Sequence, residues 1–179
     1  MSDEAGIRAF LAALGRAARE SANLYLVGGA TAVLYGWRAT TIDIDLTLAP
    51  ERDELLRALP ELKRTLGLNL EFSAPHHFIP PLPGWEQRSV FVGRYGKLSV
   101  FHYDPYAQAL AKIERRHAQD VSDVRRMFAD GLISPGQLLE LFESIESNLY
   151  RYPAIDPADF RTAVEEAIRE AEATNGPLT

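Results

Sequence analysis

Hydrophobic and polar positions recur along this chain with two different periods, and the switch between them divides it. In "SDEAGIRAFLAALGRAARES", Ile7, Phe10, Leu11 and Leu14 follow Ser2 and Asp3 at helical spacing, which predicts a capped amphipathic helix. "LYLVGG" predicts a short buried strand, "ATAVLYG" a short helix stopping at Gly36, and the strictly alternating "TIDIDLTLA" a second strand ending at Pro50. "ERDELLRALPELKRTLG" predicts a helix interrupted near Pro60 and closed by Gly67. "LNLEFS" predicts a third strand, with Leu68, Leu70 and Phe72 toward the core and Asn69 and Glu71 facing away. "APHHFIPPLPGWEQ" reads as an irregular proline-rich connection, and "RSVFVGRYGKLSVFHY" as a hairpin turning at Tyr95 to Lys97. From Asp104 onward every segment is helical in pattern: "DPYAQALAKIERRH", "DVSDVRRMFADG", "SPGQLLELFESI" and "DPADFRTAVEEAIREAE". Several open on Asp or Ser before Pro, as helix starts do, and the tail "TNGPLT" is expected to fray.

The expected class is therefore α+β: a mixed α/β core over residues 1–103, then a helical region over 104–179. Composition narrows the function classes. With 179 residues and 46% apolar content the chain can bury a sizeable core. A formal net charge of −6 argues against nonspecific coating of nucleic acid, while leaving room for a local basic patch. The absence of cysteine excludes disulfides, thiolate metal sites and cysteine nucleophiles. The opening "MSDEAGIRAFLAAL" carries acids where a leader would be basic. No apolar run approaches the roughly 20 residues that cross a bilayer, so a cytoplasmic location without membrane contact is expected.

Two segments carry chemistry. In the second strand Asp43 and Asp45 share one face while Ile42, Ile44 and Leu46 take the other. Adjacent carboxylates repel unless a cation lies between them, an arrangement tolerable on a solvated edge strand and useful where Mg²⁺ is held together with substrate phosphates. Gly28 and Gly29 follow a strand and precede a short helix, where backbone can approach a phosphate closely and free N–H groups face it. In combination, a nucleoside triphosphate can lie on the glycines while the aspartates hold its metals. Arg38, just ahead of the acids, can bind a phosphate or pair with the aspartates.

"VGGATAVLYGWRATTIDIDL" resembles the signature of the DNA polymerase β-type nucleotidyltransferase superfamily, in which a Gly-Gly or Gly-Ser turn precedes an Asp-x-Asp strand by about this distance. Arg38 and Thr40, with "KIERRHAQDVSDVRRMF" downstream, are similar to the abortive-infection (AbiEii-type) nucleotidyltransferase toxins. The resemblance implies transfer of a nucleoside monophosphate from an NTP to a hydroxyl acceptor with two Mg²⁺ ions. Asp43 and Asp45 would hold both metals, Gly28 and Gly29 the triphosphate, and Thr31 would add a hydroxyl contact. Glu71 is the best match to a third carboxylate found on a later strand in many members. Lys112 matches a phosphate-binding lysine and Asp120 an acid of the toxin-like group, with Asp123 one turn later as its alternate; Arg116, four residues after Lys112, would share its helical face.

The same resemblance implies an RNA acceptor such as a tRNA end, in a toxin–antitoxin or phage-defence pair with a cognate partner protein. Alternatives are an antitoxin-type enzyme modifying its partner toxin, an aminoglycoside-type enzyme with a small acceptor, and a non-enzymatic nucleotide-sensing or partner-binding module. Thr31-Ala32-Val33 stands where CCA-adding enzymes carry an Arg-Asp pair, which argues against that role. His76 and His77 read as loop histidines, Trp37 and Trp85 as core or base-stacking rings, and Tyr150 and Tyr152 as anchors of the turn before the last helix.

Overall fold

The computed structural model describes residues 1–174. It divides the chain into two compact units, one of Met1–Ala74 with Ser89–Tyr103, the other of Pro75–Arg88 with the chain from Asp104 onward. The mixed α+β class, with a five-stranded sheet, flanking helices and a helical C-terminal region, is the one the hydrophobic pattern predicts.

The first unit runs α1 (Glu4–Ala17), β1 (Ala22–Val27), α2 (Gly28–Leu34), β2 (Asp43–Ala49), α3 (Asp53–Leu66), β3 (Asn69–Phe72), and then β4 (Val90–Tyr95) and β5 (Leu98–His102). Strand order is β3-β2-β1-β5-β4. β1 pairs antiparallel with β2 and parallel with β5; β2 and β3 are parallel, and β4 and β5 form the expected hairpin. One face of this sheet supplies Leu24, Leu26, Ile44, Leu46, Leu48, Leu98 and Val100 to a core completed by Ile7, Phe10, Leu11 and Leu14 of α1 and Leu55 and Leu59 of α3. Full burial of each such side chain stabilises the fold by roughly 1.5–3 kcal/mol, which is why the period-two and period-3.6 patterns were readable. Asp3 caps α1 by accepting from the Gly6 N–H at 2.8 Å.

The second unit contains a 3₁₀ turn (Pro75–His77), α4 (Trp85–Arg88), α5 (Pro105–Arg115), α6 (Ala118–Ala129), α7 (Pro135–Glu146), a second 3₁₀ turn (Leu149–Arg151) and α8 (Pro157–Thr174). Asp104 caps α5 through the Tyr106 N–H at 3.0 Å and is paired with Arg88 at 2.6 Å. Burial pushes its carboxyl pKa up, against the opposing pull of the Arg88 guanidinium. Phe142 and Phe160 meet edge to face at 5.0 Å between α7 and α8.

Several local expectations are corrected. α3 runs through Pro60 without a break; Pro60 is exposed, so the carbonyl it deprives of a partner can be met by water. The proline-rich connection holds a 3₁₀ turn and a short helix. Ile42 precedes β2 and is 63% exposed, because the strand begins only at Asp43. Phe72 is 49% exposed, as it closes an edge strand. Tyr152 does anchor its turn, donating to the His76 carbonyl at 2.9 Å, whereas Tyr150 is 72% exposed. Of the tail predicted to fray, residues 175–179 lie outside the described residues.

Candidate active site

The aspartate strand and the glycine turn are brought together by β-sheet register. Val27, the last residue of β1, lies opposite Asp45 in β2, so the chain enters the glycines directly beside the second acid. Alternation along β2 buries Ile44, Leu46 and Leu48 and leaves Asp43, Asp45 and Thr47 half-buried on the opposite face. Because β2 and β3 are parallel and Asp45 pairs with Glu71, the two acids share that face on neighbouring strands. Glu71 is exposed, and among the described residues no group of three or more His, Asp or Glu side chains is gathered tightly enough to hold a metal.

Helix α2 starts at Gly28 itself, so the glycines form its first turn instead of preceding it. Gly28 has φ +60°, in the left-handed region that a side chain makes costly, and a Cβ there would come within 2.9 Å of Asp45 Oδ2. A Cβ on Gly29 would collide with Thr41 Oγ1. Both glycines are thus set by close approach to the acidic strand and its lead-in. The donor set suits a hard divalent cation: two half-buried carboxylates two residues apart on one strand face supply only hard oxygen ligands.

Thr31, within α2, is buried. Its hydroxyl donates to the Leu26 carbonyl at 3.2 Å and lies 3.1 Å from His102 Nδ1. When that hydroxyl proton is given to Leu26, it is the imidazole that donates through Nδ1. His102 also stacks under Tyr35 at 4.4 Å, and Tyr35 on Trp37 at 5.0 Å. Burial lowers the His102 pKa to about 4, so the ring is neutral near pH 7, and it raises that of the Tyr35 hydroxyl. Arg38 is half-buried in the segment joining α2 to β2.

The aspartate face of the sheet also carries a row of rings, of which Tyr25 is buried and Phe101 half-buried. Tyr25 stacks on Phe101 at 5.4 Å, and Phe101 meets Phe91 edge-on at 5.5 Å. Register places Tyr25 opposite Thr47, on the face of the aspartates, and Phe91 at the far end is 60% exposed.

Lys112, Arg116 and Asp120 lie in the second unit. Lys112 is buried, with Nζ 3.0 Å from Asp120 Oδ1 and 2.6 Å from Asp123 Oδ2, and Arg115 donates twice to Asp120 at 2.8 Å. Burial alone would raise the Asp120 pKa; Arg115 and Lys112 outweigh it and hold the carboxyl below the usual range. Arg116 lies just past α5, left-handed at φ 58°; it lines the same cavity as Lys112 and bonds Asp159 at 2.8 Å. Arg125 pairs with Glu170. These pairings neutralise much of the cationic segment. A cavity of about 390 Å³ is lined by this segment, with apolar walls such as Ile113, Val124 and Phe128 and charged groups that include Lys112, Arg125 and Glu170.

Thr41 and His102, both of which contact the glycine helix, were not singled out in the sequence. Thr41 was discoverable, because Thr41, Asp43 and Asp45 continue one alternation; a histidine ending an apolar strand carries no such signal.

No helix among the described residues is long and apolar enough to cross a membrane. No curated protein and no solved structure matches the chain significantly. A family described as "Nucleotidyltransferase of unknown function (DUF6036)" matches residues 6–171, a span that takes in the glycine turn, the aspartate strand and the Lys112 network, and the chain belongs to that family.

Proposed function

We propose that this protein is a Mg²⁺-dependent nucleotidyltransferase that moves a nucleoside monophosphate from an NTP to a hydroxyl acceptor. The observation that carries the reading is the register of Asp45 against Val27, which sets a glycine turn of unusually close approach beside two half-buried carboxylates. Asp43 and Asp45 are the residues that would hold Mg²⁺. When bound, Mg²⁺ supplies charge neutralisation along the triphosphate and acidifies the attacking hydroxyl.

In this reading the first turn of α2 receives the triphosphate, since Gly28 and Gly29 present backbone where any Cβ would intrude. Arg38 neutralises phosphate charge from the lead-in to β2. Thr31 acts through its bonds to Leu26 and His102, orienting α2. Within the second unit Lys112 is held by Asp120 and Asp123, and Arg116 by Asp159. The acceptor oxygen bonds to the α-phosphorus as the bond to the bridging oxygen breaks; pyrophosphate leaves with that electron pair, and the hydroxyl proton passes to solvent. Positioning and charge neutralisation supply most of the rate in such a transfer.

The aromatic row favours an acceptor with bases to stack. Phe91 is 60% exposed and Phe101 half-buried on the aspartate face, with Tyr25 buried beneath them, and stacking on an exposed ring contributes about 1–3 kcal/mol per base. An RNA end, such as that of a tRNA, is therefore the proposed acceptor, in a toxin–antitoxin or phage-defence setting. The test is incubation with each α-labelled NTP and Mg²⁺, offering total tRNA, lysate protein and an aminoglycoside panel. Label in RNA that disappears in Asp43→Ala/Asp45→Ala is the expected result; label in protein or drug reassigns the acceptor, and none in any arm overturns the reading.

A further inference from the structure

Thr41 stands between the glycine turn and the aspartate strand and belongs to neither. It lies ahead of β2, yet nearly all its polar groups are committed. Its N–H donates to the Ser2 carbonyl at 2.8 Å, and its carbonyl accepts from the Ser2 N–H at 2.7 Å. This two-bond bridge ties it to a residue only 3% exposed. Its hydroxyl donates to the Asp43 carbonyl at 3.0 Å. The same oxygen occupies the space that a Cβ on Gly29 would need. One side chain therefore touches both parts of the site, and the backbone bridge holds that side chain in place.

We propose that Thr41 is a positioning residue which, clamped by Ser2, sets the spacing between the Gly28-Gly29 turn and the Asp43–Asp45 pair, and through it the grip on a Mg²⁺-bound triphosphate. The nucleotide half of this inference rests on the function proposed above; the clamp itself does not. Sites of this kind need their groups held to within about half an ångström, which a flexible lead-in cannot provide unaided. Losing the hydroxyl leaves the Asp43 carbonyl without that donor and frees Gly29 to drift from the strand.

Three variants test it. Thr41→Val keeps the shape and deletes the hydroxyl, Thr41→Ser keeps the hydroxyl, and Ser2→Pro deletes one N–H of the clamp. Each is measured by amide hydrogen exchange over residues 28–32 and 43–45, and by titration with Mg²⁺ and each of the four ribonucleoside triphosphates, with Asp43→Ala as reference. Thr41→Val and Ser2→Pro are expected to speed exchange in both segments and to weaken triphosphate binding, each by about tenfold, with Thr41→Ser close to the parent. Unchanged exchange and binding in Thr41→Val overturn the proposal. A rise in exchange spread evenly over the core, with no rescue by Thr41→Ser, also overturns it, since that is a merely structural role. If Asp43→Ala leaves binding untouched, the nucleotide reading falls, and exchange alone decides the clamp. Should Thr41→Val lose its cooperative thermal transition, Ser2→Pro is read by the same measurements with the same two outcomes.

Discussion

Replacing His102 by Gln should remove a specific pH dependence of stability. The ring ends β5 opposite Leu26, is 6% exposed, and is engaged by Thr31 and by the face of Tyr35. Burial holds its pKa near about 4, against 6.5 for an ordinary histidine. The sign follows from proton uptake: between those values the unfolded chain binds a proton that the folded chain refuses, so stability is full above pH 6.5 and falls as the pH drops toward 4. The difference between those two values corresponds to about 3 kcal/mol in total, of which about 2 kcal/mol is lost between about pH 7.5 and about pH 5. His102→Gln also loses packing, so its absolute stability is lower near neutral pH. The informative quantity is the difference in slope, in which carboxylates common to both proteins largely cancel. Urea unfolding of parent and variant across that range should give curves that converge by about 2 kcal/mol as the pH falls. Parallel curves would refute the argument that a buried, neutral imidazole supports α2.

Two further predictions concern the proposed site. Lys112→Met leaves Asp120 and Asp123 buried without their shared cation, and a loss of about 3–5 kcal/mol is expected by urea unfolding; a loss under about 1 kcal/mol would show that the network relaxes into water. Gly28→Ala forces a side chain into the left-handed region and against Asp45, costing about 1–2 kcal/mol of stability. Its Mg²⁺-dependent triphosphate binding, measured by calorimetry, should fall by more than the stability loss explains; parental binding would remove the glycine turn from the site.

How much of this was legible in the sequence depends on what each signal reports. Strands β1, β2 and β5 and the helices with one buried stripe were readable because burial imposes a period. The ends of elements were less so: Ile42 continues the apolar alternation of β2 but falls just outside the strand, and Phe72 falls on an edge where alternation no longer implies cover. Pro60 illustrates a local rule overridden by the surrounding helix. Within the site, Asp43, Asp45, Gly28 and Gly29 were identifiable from residue type and order. The Lys112 network depended on spacing between two helices, and nothing in "IERRH" marks Arg116 as the left-handed residue that ends α5. The bridge between Ser2 and Thr41 pairs residues far apart in sequence, and backbone hydrogen bonds leave no compositional trace.

The central claim is that the Asp43–Asp45 strand and the Gly28-Gly29 turn form one metal–triphosphate site. It is tested most directly by calorimetric titration of the parent and of Asp43→Asn/Asp45→Asn with each NTP, with Mg²⁺ and with EDTA. The account predicts binding of at least one NTP by the parent only when Mg²⁺ is present, and none by the variant although its thermal transition is retained. Binding that persists in EDTA, or that survives in the variant, would contradict it.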